Sequence, residues 1–239
     1  MSLPWLDDSD INFPTIESAL VEPNGLLAAG GDLSAGRLIQ AYRLGIFPWY
    51  ENGQPILWWS PDPRMVLRPQ QLKITASLRK FIRKQQFEIT MDQDFPQVIE
   101  ACSRVRSNSE GTWITEELKQ AFCHLRHMEV AHSVEVWQQD ELVGGLYGIA
   151  IGQLFFGESM FSRVDNTSKL ALVFLVKQLR KWNYRLIDCQ VSSRHLESLG
   201  AKEVSRQEFK QYLNKYLDKP GHSGKWQPTI TIQQLINEF

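Results

Sequence analysis

Beyond residue 63 the apolar positions switch repeatedly between a spacing of two and a spacing of three to four, the pattern of strands alternating with helices. Met65 to Leu67 reads as a strand, Ser77 opens a helix, and Phe87 to Met91 reads as a second strand. Helical spacing then fills 95 to 104 and 115 to 128. His132 to Trp137, Leu142 to Ile151 and Leu154 to Phe156, parted by turns at Gln139-Asp140 and Gly152, predict an antiparallel meander. Thr167 to Lys181 follows as a helix whose Leu170, Leu172, Val173, Leu175 and Val176 make it apolar nearly all round, as a helix packed deep on a sheet must be. Arg185 to Val191 predicts a strand, Ser193 to Leu199 a short helix stopped by Gly200, and Arg206 to Tyr216 a last helix.

The earlier part of the chain is less regular. Residues 1 to 24 read as extended, acidic and irregular, and Gly25 to Asp32 as a glycine-rich bend. A helix then begins with Ser34 as its N-cap, keeps Leu38, Ile39 and Tyr42 at helical spacing, and ends with Gly45 as the C′ residue. Ile46 to Tyr50, a turn at Glu51-Asn52-Gly53 and a strand at Ile56 to Trp59 lead to Pro61 and Pro63, the expected domain boundary. The expectation is an α+β (mixed α/β) chain with a small N-terminal α/β domain, 1–63, and a larger domain, 64–239, whose mostly antiparallel sheet is flanked by helices.

A chain of 239 residues, 43% hydrophobic, can bury a full core. Its formal net charge of −1 gives no global pull on a polyanion, so any nucleic acid has to be gripped by a local patch. Lys73, Arg79, Lys80, Arg83 and Lys84 form such a patch with no acid among them. The last four cover roughly 140° of a helix, with Leu78, Phe81 and Ile82 opposite. A phosphate backbone suits that face, and a merely solvated helix is the competing reading. Cys102, Cys123 and Cys189 are odd in number and widely spaced, which argues against a disulfide framework or zinc site. His124 and His127 read as packing or surface residues rather than metal ligands, so no metal or cofactor is expected. The N-terminus lacks a signal-peptide pattern and no segment is apolar enough to span a bilayer, so a soluble cytoplasmic protein with no membrane partner is expected.

Two places carry candidate chemistry. In Leu186-Ile187-Asp188-Cys189-Gln190, strand alternation puts Asp188 and Gln190 on one face, with Cys189 on the other as a small core residue. A buried carboxylate needs a partner, and two readings stay open: an internal ion pair with an arginine such as Arg163 or Arg185, or an active-site acid beside an amide. The second place is aromatic. Trp49 and Trp113 sit in the loop-like contexts Phe47-Pro48-Trp49 and Gly111-Thr112-Trp113, where a ring face can stack on a nucleobase. Trp58, Trp59, Trp137 and Trp182 read as structural.

The order of meander, long apolar helix, strand and short helix resembles the GNAT superfamily of acyltransferases. The glycine-rich segment that holds acetyl-CoA in that superfamily is replaced here by Ser162-Arg163-Val164-Asp165-Asn166, which implies a different acyl donor. Several further segments, Glu22 to Leu27, Gly45 to Trp49, Leu57 to Arg64, Gly157 to Arg163 and Leu186 to Gln190, resemble the bacterial leucyl/phenylalanyl-tRNA-protein transferase family from about residue 12 to 216. The resemblance implies a cytoplasmic enzyme with a GNAT-like fold that moves Leu, Phe or less readily Met from aminoacyl-tRNA to an N-terminal Arg or Lys, creating an N-degron for protein degradation. Leu-tRNA, Phe-tRNA and proteins beginning with Arg or Lys are its implied partners. Carried over by position, the resemblance places aminoacyl-adenosine binding on Tyr42, Trp49 and Trp113, and polar catalytic roles on Asp188, Gln190 and Glu158. Leu146, Phe155, Met160, Leu172 and Ile187 are the implied pocket for the donor side chain, and with a tRNA as donor the basic patch of Lys73, Arg79, Lys80, Arg83 and Lys84 is expected to grip its backbone. In the expected mechanism Asp188 accepts or relays the amine proton while Gln190 orients the amine or Asp188. A bulge at Gly157 is required to bring Phe155 and Glu158 to one face. The alternative is a GNAT-like aminoacyl-tRNA-dependent transferase acting on a cell-wall or small-molecule amine.

Overall fold

The computed structural model describes residues 3–84, 86–107 and 113–237. Strands β1 (Trp5–Leu6) and β2 (Leu26–Gly30) come first, followed by helix α1 (Ala35–Arg43), β3 (Phe47–Pro48) and β4 (Leu57–Trp59). These strands form one sheet in the order β1-β2-β4-β3. The segment read from sequence as a glycine-rich bend is therefore largely strand β2, whose Ala28 and Ala29 pair with Trp58 and Leu57. Ser34 caps α1 by accepting the Arg37 N–H. Gly45 follows α1 with φ +78°, and a Cβ there would lie 2.9 Å from the Phe209 ring, so both backbone and packing require glycine.

The rest of the chain continues with β5 (Arg64–Leu67), α2 (Ala76–Ile82), β6 (Glu88–Met91), α3 (Phe95–Ser107), α4 (Glu116–His127), β7 (Ala131–Gln138), β8 (Glu141–Ile151) and β9 (Leu154–Ser162). Helix α5 (Thr167–Lys181), β10 (Leu186–Gln190), α6 (Arg194–Ser198), β11 (Lys202–Val204), α7 (Arg206–Tyr216) and α8 (Ile232–Asn237) complete it. The second sheet has the order β11-β5-β10-β9-β8-β7-β6. All its pairings are antiparallel except β10 on β9, which run parallel. The predicted meander is present, with β9 running on to Ser162.

Strand alternation feeds two apolar layers, one on each face of this sheet. Phe156 and Leu186 enter the layer shared with α1, α3, α4 and α7, while Phe155 and Ile187 enter the layer shared with α2, α5 and α8. Helix α5 buries residues on all sides, as its composition predicted. The chain after α7 contributes Trp226 and Leu235 to the second layer, both buried. No described helix is long and apolar enough to cross a membrane.

Candidate active site

A cavity of about 240 Å³ opens between β8, β9, β10, α5 and α6, with Phe47, Pro48 and Trp49 also lining it. Leu146, Phe155, Met160, Leu172 and Ile187 all line it, together with Leu175. Phe155 and Met160, five apart on β9, reach one face only because the strand takes an extra residue between them, and the α5 pair follows from helical spacing of three. Trp49 and Trp113 line the same cavity. Trp49 is 43% exposed, and its ring lies 5.6 Å from that of Trp59, tilted by 54°. Gly111 and Thr112, read with Trp113 as a loop, lie outside the described residues.

Two polar side chains meet at this apolar space. Gln190 Nε2 donates to Glu158 Oε1 at 2.7 Å, and both residues are buried lining members. Each sits at a break in strand register. Tyr147 pairs with Ser159 and the next residue, Gly148, with Gly157, which leaves Glu158 as the extra residue of a bulge beside Gly157. At Gly148 a Cβ would fall 2.2 Å from the Phe156 carbonyl oxygen, so the strand opposite the bulge has room only for glycine. On β10, Asp188 pairs with Val66 and Gln190 with Met65, which makes Cys189 the extra residue and throws Gln190 into the left-handed region at φ +63°.

That second bulge corrects the alternation expected for this strand. Gln190 and Cys189 line the cavity, whereas Asp188 does not. Asp188 is 1% exposed and is held by Arg64, not by Arg163 or Arg185. Arg64 Nε donates to Asp188 Oδ1 at 2.8 Å and Nη2 to Oδ2 at 2.6 Å, a bidentate fork. Asp188 Oδ1 also accepts the Gln190 backbone N–H at 2.9 Å. Arg163 instead donates to the Leu142 carbonyl. With both oxygens engaged, Asp188 is badly placed to accept a proton from a ligand in the cavity, contrary to the role expected for it.

Glu158 is the group whose protonation the site controls. Burial, reinforced by the negative charge of Asp188, pushes its carboxyl up to about 8 against the opposing hydrogen bonds of Tyr42 and Gln190. It therefore sits near neutrality between an acid and a base. Tyr42 is fully buried on α1, packs edge-on against Phe156 and is not part of the cavity wall, so its ring offers no face to a base. It meets the site through its hydroxyl, which faces Glu158 and is itself raised well above the ordinary tyrosine range by burial and by that carboxylate. Glu158 Oε2 is buried without a hydrogen bond of normal geometry. A polar atom in that position favours a donor group on a bound molecule.

The basic side chains lie elsewhere. Helix α2 is capped by Thr75, which accepts the Leu78 N–H, and buries Leu78 and Ile82. Lys73, Arg79, Lys80, Arg83 and Lys84 are exposed, and none lines the cavity. Sequence reasoning missed Arg64, although a charged residue opening the apolar run Arg64-Met65-Val66-Leu67 was the available signal. It also missed Phe47, Ser159 and His195 on the wall. Burial and the positive charge of Lys169 lower the His195 imidazole below its ordinary range. Among the described residues no cluster of three or more His, Cys, Asp or Glu side chains could hold a metal ion. The site can thus hold an apolar group next to a titrating carboxyl and a fixed amide.

The family profile described as leucyl/phenylalanyl-tRNA protein transferase matches residues 66–214, and that of its N-terminal domain matches residues 31–62. The chain is 58% identical over 221 residues to a leucyl/phenylalanyl-tRNA–protein transferase of Pseudomonas fluorescens (strain Pf0-1), covering 92% of this chain and 98% of that one. It is 58% identical over 218 residues to the protein of that name from Pseudomonas syringae pv. syringae (strain B728a), covering 91% and 95%. Among solved structures, a GCN5-related N-acetyltransferase from Kribbella flavida aligns with a TM-score of 0.38 at 12% identity, over 73% of this chain and 62% of that one.

Proposed function

The chain belongs to the leucyl/phenylalanyl-tRNA protein transferase family, and from that premise we propose that it transfers Leu or Phe from aminoacyl-tRNA to proteins that begin with Arg or Lys. The observation that carries the assignment of the site is the apolar cavity closed on one side by the hydrogen-bonded Glu158–Gln190 pair. Leu146, Phe155, Met160, Leu172 and Ile187 take the donor side chain, which must be flexible or flat and without polar groups that would lose water unpaired. Trp49 and Trp113 stack against the terminal adenosine. The exposed cations of Lys73 to Lys84 hold the tRNA backbone outside the cavity.

The donor ester is already activated, so the protein's task is mainly to hold the neutral acceptor amine against its carbonyl. The amine nitrogen forms a bond to the carbonyl carbon, the bond from that carbon to the ribose oxygen breaks, and the ribose oxygen receives a proton as the amine loses one. Gln190, fixed by Glu158, orients the reacting groups. Glu158, with its carboxyl near 8, takes the amine proton and returns it to the leaving oxygen. Its negative charge, once formed, also favours a cationic acceptor residue. Asp188 takes no proton, because Arg64 occupies both of its oxygens. Aminoacyl-tRNA takes the place that acetyl-CoA has in acetyltransferases, and the reaction belongs in the cytoplasm, where its product enters N-degron degradation. Family membership argues against the cell-wall or small-molecule amine, since the relatives are named as protein transferases.

The test mixes the protein with radiolabelled Leu-tRNA and peptides beginning with Lys, Arg or Ala. Label is expected in the first two peptides alone. Equal labelling of all three sinks the acceptor assignment, and no labelling of any sinks the activity.

A further inference from the structure

We propose that Arg64 is a positioning residue for aminoacyl transfer, acting through the Asp188 carboxylate on the backbone of Gln190. The inference rests on the reading that Gln190 and Glu158 face the reacting groups. The contacts form an unbroken series from a residue outside the cavity to two residues inside it. Arg64 holds both Asp188 oxygens at 2.8 and 2.6 Å, and Asp188 Oδ1 accepts the Gln190 N–H two residues on, the geometry of an Asx-turn. Gln190 in turn donates its side-chain amide to Glu158.

This series explains how Gln190 keeps a φ of +63°. A side chain other than glycine holds that conformation only where its surroundings over-determine it. The Asx-turn supplies the local constraint, and the arginine fork fixes the carboxylate that makes the turn. Arg64 is itself fixed on every side. Its guanidinium carbon lies 4.8 Å from the Phe47 ring centroid and 4.8 Å from that of Phe209, and Nη1 donates to the Gly45 carbonyl at 3.1 Å. Arg64 is 1% exposed. Lysine would supply the charge but neither the planar fork nor the flat faces that the two rings cover.

A residue needed only for general stability would lower activity by the same factor whatever stands at position 190. A residue that acts through Gln190 loses its effect once the Gln190 amide is gone. The experiment is therefore a cycle in the full-length protein, Arg64→Lys alone and with Gln190→Ala, measured as initial rates with Leu-tRNA and a Lys-starting peptide, alongside Tm. Alone, Arg64→Lys should lower kcat about 10- to 100-fold and leave the donor KM within about threefold. Added to Gln190→Ala, it should lower kcat by less than about threefold. Equal losses in both backgrounds overturn the inference. Should Arg64→Lys fail to fold, the isosteric Asp188→Asn takes its place in the same cycle, and equal losses there overturn it equally. If the unaltered protein transfers no leucine, the underlying reading fails instead, a result distinct from equal losses.

Discussion

Trp226 lies flat on His132, ring centroids 3.8 Å apart and planes 5° from parallel. The two residues are 94 positions apart in the chain, and Asp92 joins them: its Oδ2 accepts the backbone N–H of Trp226 at 2.8 Å and contacts His132 Nδ1 at 2.8 Å. Asp92 Oδ1 accepts the Ser133 N–H at 2.9 Å. The tail is thus packed into the apolar layer on the α5 face of the sheet. Trp226→Ala should cost about 3 to 5 kcal/mol. At about 2 to 4 °C per kcal/mol for a chain of this size, calorimetry should record a large fall in Tm. A change under about 0.5 kcal/mol would mean that the tail contributes no packing.

Glu158 gives stability a predictable pH dependence. Its carboxyl is raised from 4.5 to about 8 in the folded protein, so folding favours the proton-bound form. Its contribution is fully present below pH 4.5, declines as pH rises toward 8 and is lost above it, at about 1.4 kcal/mol per pH unit within that window. Glu158→Gln stays neutral throughout. The variant should therefore gain stability relative to the unaltered protein between pH 5 and pH 8, as measured by urea denaturation at each pH. A constant difference across that range would contradict the raised carboxyl.

Cavity volume should govern donor choice. Leu146→Phe adds bulk to a space of about 240 Å³, and the flat phenylalanyl group has less room to adapt than leucyl. Transfer of Phe should fall about 10-fold or more in kcat/KM, and transfer of Leu by less. Competition between the two charged tRNAs reads the ratio directly, and an unchanged ratio would remove Leu146 from the donor pocket.

The basic segment should act on affinity rather than turnover. Replacing Lys80, Arg83 and Lys84 with Gln should weaken several tRNAs alike and lower the slope of log affinity against log salt by about 2 to 3. Filter binding across a salt series measures both quantities. An unaltered slope would show that these cations face solvent and no phosphate.

Much of this architecture was legible because local pattern and tertiary need agree. Helices α5 and α7 begin and end where their periodicity predicted, and the Ser34 cap and the Gly45 terminus bound α1 as expected. The five apolar cavity residues named from the resemblance converge on one space. What escaped was long-range or locally ambiguous. Leu26 to Gly30 is a short apolar run among glycines, and only pairing with β4 makes it a strand. The partner of Asp188 lies 124 residues away, beyond any local pattern, and the bulge that parts Gln190 from the face of Asp188 cannot be inferred from alternation, which it violates. Tyr42, placed in adenosine binding by the resemblance, has its ring in the core, away from the cavity wall.

The two register breaks have a consequence for how this enzyme can change. Glu158 is the extra residue of its bulge, and Gln190 resumes the ladder immediately after the other, so the two hydrogen-bonded polar residues of the cavity lie where the sheet's pairing is already interrupted. The parallel contact between β9 and β10 ends at Phe156 and Asp188, before either side chain is reached. Substitutions at positions 158 and 190 can therefore alter the polar wall of the cavity without shifting the register of the strands on either side. Gly148, by contrast, tolerates no such change, because the opposing strand leaves no space for a methyl group.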